Sequence, residues 1–127
     1  MPLILIIDDD PMIREMLITA FHQENYDVMG ADNGKTALDI FRTEDVDVVI
    51  TDIIMPDMEG IETIREFRKI KPDAKIIAFS GGGSLAPDGY LKIASSMGAQ
   101  YTFQKPISIK VLSEAVKDLL GSCKKKL

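Results

Sequence analysis

The 127 residues predict an α/β domain of (βα)5 pattern, a doubly wound sheet of five parallel strands in the order 2-1-3-4-5. Three observations lead there. Five short, apolar and β-branched runs recur along the chain, at Leu3–Ile7, 26–30, 46–51, Lys75–Ser80 and 100–104. Stretches of helical periodicity alternate with them. The runs are apolar almost throughout, which suits strands covered on both faces of a parallel sheet. Five units are too few to close an eight-stranded barrel. An open sheet with right-handed crossovers follows, and its crevice lies beyond the strand carboxyl ends, where the strand order reverses between strands 1 and 3.

The helical stretches can be taken in order. Ile13, Met16, Leu17, Ala20 and Phe21 share one helix face at i, i+3, i+4, i+7 and i+8. Asp10 is a suitable N-cap there, and Pro11 suits the first helical position. Ala37, Leu38 and Phe41 form the second stripe, after the turn Asn33-Gly34. Ile61, Ile64 and Phe67 form the third, closed before Pro72. A fourth helix is expected over about 87–97, ending at Gly98, with Gly89 in its interior. Leu112, Ala115, Val116 and Leu119 mark the last, ending at Gly121. The organisation expected is one domain over 1–121 and a short basic tail over 122–127, whose "KKK" reads as a solvated end.

Composition narrows the function classes. A net charge of −5 argues against nucleic acid as a partner. No apolar stretch reaches the roughly 18 residues of a membrane span, so no membrane insertion is expected. The first residues show no basic region of a secretory leader. The single Cys123 cannot form an internal disulfide, and the plain expectation is a reducing cytoplasm.

The chemistry sits at the strand ends. "LILIIDDD" runs five aliphatic residues into Asp8, Asp9 and Asp10. The third strand ends in Thr51-Asp52, the fourth in Ser80-Gly81, the fifth in Gln104-Lys105-Pro106. Two adjacent strands thus bring carboxylates to the crevice, and the flanking strands add a hydroxyl and an ammonium. Clustered carboxylates suit Mg²⁺, a hard cation that keeps several waters and accepts phosphate oxygens. A lysine and a serine opposite would hold the remaining phosphoryl oxygens.

With "DIIMPDMEG" over 52–60, "ADNGKTAL" over 31–38 and "MGAQ" over 97–100, the whole chain resembles the receiver domain of two-component response regulators. The resemblance is close to stand-alone chemotaxis-type or sporulation-type receivers, which share the flavodoxin-like sheet. The resemblance implies that Asp52 is the phospho-acceptor for a histidine kinase or histidine phosphotransfer protein. It implies that Asp9 and Asp52 ligate Mg²⁺ directly, Asp8 through a water, and Ile54 through its backbone carbonyl. Ser80 and Lys105 are then the switch and catalytic partners of the phosphoryl group, and Pro106 a structural residue whose preceding bond is cis in the family. Such a protein is not a metabolic enzyme. It promotes its own phosphorylation and dephosphorylation and changes its affinity for a downstream protein effector.

The residues also carry plainer readings. Asp10 reads as a cap, not a ligand. Asp57 and Glu59 read as solvated loop charges, Gly81–Gly83 as a turn lacking the lysine of a phosphate loop, and His22 as exposed. One departure stands out. The family places an aromatic three residues before the Lys-Pro, where this chain has Thr102. Tyr101 and Phe103 flank it, but strand alternation points them to the opposite face. Three rival functions compete. A flavin-binding module needs a hydroxyl- and glycine-rich first loop, where three acids stand. An aspartate-dependent phosphohydrolase carries a cap insertion that is missing. A phosphorylation-independent binding module would have no use for the full set of acids, Ser80 and Lys105.

Overall fold

In the computed structural model, which describes residues 2–53, 60–80, 98–104 and 108–121, the elements run β1 (Leu3–Ile7), α1 (Pro11–Gln23), β2 (Asp27–Ala31), α2 (Gly34–Thr43), β3 (Val48–Asp52), α3 (Gly60–Ile70), β4 (Lys75–Ser80), β5 (Tyr101–Gln104) and α4 (Ile109–Gly121). All strand pairings are parallel, and the sheet order is β2-β1-β3-β4-β5. The helix expected over 87–97 and the 122–127 tail lie outside the described residues.

Strand alternation sorts the core into two layers. Leu5, Ile7, Val49, Ile53, Ile76 and Ala78 pack with Ala37, Leu38 and Phe41 of α2 and Ile64 and Phe67 of α3. Ile4, Ile6, Val48, Ile50, Ile77 and Phe79 pack on the other face, with Leu17 and Phe21 of α1 and Leu112, Ala115, Val116 and Leu119 of α4. The central strands are buried on both faces because each residue belongs to one layer or the other. The Phe41 and Phe67 rings, 4.5 Å between centroids and tilted by 47°, join α2 to α3.

Helix ends follow the local chemistry. The Met12 N–H donates to Asp10 Oδ1 at 2.9 Å, and Pro11 opens α1. Thr36 N–H donates to Asn33 Oδ1 at 2.8 Å, capping α2. At the far end of α1, Asn25 takes φ of 69°, a left-handed conformation that asparagine tolerates better than most residues. Tyr26 N–H then closes back on the Phe21 carbonyl at 3.2 Å. That turn delays β2 until Asp27, one residue later than the apolar run suggests. Removing the first cap, Asp10→Ala, is expected to cost about 1 kcal/mol. Urea denaturation would read this as a lower midpoint with an unchanged slope.

A second anchor lies before β5. Arg68 of α3 donates from Nη1 to the Pro72 carbonyl at 2.9 Å and from Nη2 to the Gly98 carbonyl. Gly98 has φ of +104°, and a Cβ there would stand 2.7 Å from Arg68 Nε. The positive φ favours glycine there, and a side chain would also displace the Arg68 guanidinium. Partial burial pulls the Arg68 guanidinium below its usual pKa, partly offset by Asp73. Gln100 continues the anchor, its Oε1 accepting from Ile76 N–H at 2.8 Å.

Candidate functional site

The parallel register decides which strand ends meet. Ile7 pairs with Thr51, so Asp8 and Asp52 are the next residues of adjacent strands. Asp52 pairs with Phe79, and Ser80 with Gln104. β1 connects to β2 on one side and neighbours β3 on the other, so the crevice opens between β1 and β3.

Carboxylate oxygens of Asp8, Asp9 and Asp52 all lie within 4.8 Å of one another. Asp8 is fully buried and Asp52 is 5% exposed, whereas Asp9 faces solvent. Two buried carboxylates at that separation repel by about 3 kcal/mol at an effective dielectric near 20. Such a trio binds a divalent cation well. It supplies hard oxygen donors, a strong negative potential and one exposed side open to water and a phosphoryl group. The donor set therefore fits Mg²⁺.

The backbone around the acids is tightly held. Asp8 N–H donates to the Ala31 carbonyl of β2 at 3.1 Å. Asp10 N–H donates to Asp8 Oδ1 at 2.9 Å, and Arg14 Nη1 donates to the Asp8 carbonyl at 2.8 Å. On the neighbouring strand, Thr51 Oγ1 donates to the Asp52 carbonyl at 2.9 Å, and Ile53 N–H to the Phe79 carbonyl at 3.0 Å. Asp10 itself turns away from the trio to cap α1.

The structure thus brings together Asp8, Asp9 and Asp52. Ser80 ends β4 and Thr102 lies inside β5, paired with Ala78. The Ser80 side chain, Ile54, Lys105 and Pro106 lie outside the described residues. Tyr101 and Phe103 pack toward the α1–α4 layer, with rings 6.0 Å apart and nearly parallel at 11°. The Tyr101 hydroxyl donates to the Asp118 carboxylate, which pushes the phenol pKa upward. Thr102 faces the opposite layer with Ala78, so the sheet carries two small residues side by side there.

Arg14 is the residue at this site that sequence reading passes over. Its position on α1, among charged and exposed neighbours, suggests a solvated side chain. The one available signal is Gly30, an exposed glycine in a strand, where another group approaches the backbone closely.

The comparisons with known proteins agree with this geometry. The response regulator receiver domain family matches residues 4–117. Sporulation initiation phosphotransferase F of Bacillus subtilis is 35% identical over 117 residues, which is 92% of each chain. A CheY-like receiver domain protein of Methanospirillum hungatei superposes with a TM-score of 0.90 at 29% identity, over 100% of this chain and 99% of that one. The response regulator TrrA of Thermotoga maritima, solved in complex with Mg²⁺–BeF, gives 0.82 at 39% identity, over 94% and 99%. Some curated relatives are longer transcriptional regulators, of which this chain spans 24% or 26%. The chain belongs to the response regulator receiver domain family of two-component signalling. Members of that family are phospho-acceptors, modified on an aspartate, and they bind Mg²⁺ through acidic residues. No helix among the described residues is long and apolar enough to cross a membrane.

Proposed function

We propose that this receiver accepts a phosphoryl group on Asp52 from the phosphohistidine of a histidine kinase or phosphotransfer protein. The observation that carries the reading is the buried pair Asp8 and Asp52, joined by exposed Asp9 within 4.8 Å, at the reversal point of the sheet. In the transfer, an Asp52 carboxylate oxygen forms the new bond to phosphorus. The phosphorus–nitrogen bond breaks, and the donor imidazole keeps the electron pair and takes up a proton. Asp9 and Asp52 would hold Mg²⁺ directly, Asp8 through a water, and Ile54 by its carbonyl. The bound ion supplies positive charge against the phosphoryl oxygens. Lys105, which follows β5 in the sequence, would supply a second positive charge, and Ser80, the last residue of β4, a hydroxyl donor.

Phosphorylation then shifts an existing equilibrium between two conformations by adding contacts at Ser80 and Lys105. Thr102 is the small residue that moves with them, and the changed surface alters affinity for a downstream protein effector. The autocatalytic role covers loss of the phosphoryl group as well as its gain. The receiver unit is 1–121, with 122–127 as a basic tail, and it acts in the cytoplasm, a reading that rests on the single cysteine and the histidine-kinase chemistry.

The test is incubation with Mg²⁺ and a small acyl phosphate, followed by intact mass. Wild type is expected to gain one phosphoryl group and Asp52→Asn none. No gain in wild type, or equal gain in the variant, overturns the assignment.

A further inference from the structure

The guanidinium of Arg14 lies against the same strand end, and its target is the Asp8 main-chain carbonyl, 2.8 Å away, not a carboxylate. Its stem crosses Gly30 of β2. A Cβ on that glycine would stand 2.8 Å from Ile18 Cδ1, 3.3 Å from Arg14 Cδ and 3.5 Å from Arg14 Cγ. The bare backbone there makes room for Ile18 and for the arginine stem together. Asp8 is thus tied three ways, by its N–H to Ala31, by its carbonyl to Arg14, and by Oδ1 to the Asp10 N–H. The first two bonds fix the peptide units on either side of the Asp8 side chain. The second lies on the peptide that leads into Asp9.

We propose that Arg14 is a positioning residue for the divalent cation: it holds the Asp8–Asp9 peptide so that the two carboxylates converge on the metal. The inference rests on the Mg²⁺ reading above. Two effects of opposite sign compete at this position. A fixed cation beside the site opposes Mg²⁺ through its field. A fixed peptide favours Mg²⁺ because the carboxylates are held ready and need not be ordered on binding. The geometry favours the second. The positive group is aimed at a carbonyl dipole, which offsets part of its field, and the carbonyl belongs to the residue that must be held.

The test uses Mg²⁺ alone, with no phosphodonor, followed by NMR titration of the folded protein. Wild type, Arg14→Gln and Arg14→Lys are compared, with Asp9→Asn as the metal-site control. Arg14→Gln is expected to raise the Kd for Mg²⁺ about tenfold, the lower end of what loss of a ligand-orienting partner costs. Amide hydrogen exchange at Asp9 and Asp10 should quicken in parallel. Arg14→Lys keeps a cationic donor on a slightly shorter stem, so it should recover part of the affinity. An unchanged or lower Kd in Arg14→Gln overturns the proposal. So does a loss of thermal stability without any change in Kd, which marks a purely structural contact. If wild type itself shows no Mg²⁺-dependent shifts, the Mg²⁺ reading fails first, and the two failures are told apart.

Discussion

Asp52→Asn is expected to unfold at a higher temperature than wild type when divalent cations are chelated. The wild-type strand ends hold the Asp8 and Asp52 carboxylates, both buried, within 4.8 Å of each other and of Asp9. Asparagine keeps the shape and much of the hydrogen bonding but removes one of the mutually repelling charges. Roughly 1–3 kcal/mol should be recovered from a repulsion of about 3 kcal/mol, since some favourable contacts of the carboxylate go with it. For a domain of this size that raises Tm by several degrees. Excess Mg²⁺ should narrow the gap, because only wild type retains all three carboxylates and gains the full stabilisation by mass action. Differential scanning calorimetry in chelator and in Mg²⁺ reads both effects. A variant no more stable than wild type in chelator would show that the acids carry no net strain.

Phe67→Ala is expected to be the most destabilising single truncation on α3. The ring is fully buried, stacks obliquely on Phe41 and fills the layer between α3 and the sheet. Its loss should cost about 3–5 kcal/mol, a large part of the roughly 5–15 kcal/mol that holds such a domain together. Tm should fall by about 10–20 °C. Phe67→Leu retains most of the volume and should lose far less. Because α3 begins at Gly60, eight residues after Asp52, the alanine variant also tests how firmly the site depends on its neighbouring helix. If both variants melt alike, the ring is not what secures the layer.

Most of the fold was legible in the chain for a specific reason. β1 and β4 were bounded correctly because sharp changes of polarity bracket them, Pro2 and Asp8 for one, Ala74-Lys75 and Ser80-Gly81 for the other. Three strands began one or two residues late, and each time a local turn or an off-ladder bond was responsible. Tyr26 is engaged with Phe21, and Val46 N–H bonds back to the Glu44 carbonyl at 3.1 Å before β3 starts at Val48. Gln100 gives its side chain to the β4 backbone ahead of β5. Periodicity registers apolarity, whereas these boundaries are set by where single N–H groups go.

The acid trio was legible because topology and charge speak together: a run of acids and a further aspartate stand at the ends of two strands that must be neighbours. Arg14 was not. A long side chain that buries its stem and spends its charge on a main-chain carbonyl leaves no trace in composition or spacing. The Arg68–Gly98 contact was hidden likewise, since it depends on a left-handed glycine thirty residues away.

The two-layer sorting of the strands has a consequence for how this chain can change. Each strand alternates between the α2–α3 layer and the α1–α4 layer without a bulge up to the residues that carry the acids. Packing and chemistry therefore share one phase. A single residue inserted within β1 would exchange its two faces and at the same stroke carry Asp8 out of line with Asp52. Fold and acid cluster would be lost together. Length variation is confined to the connections, which can be re-cut without disturbing that phase.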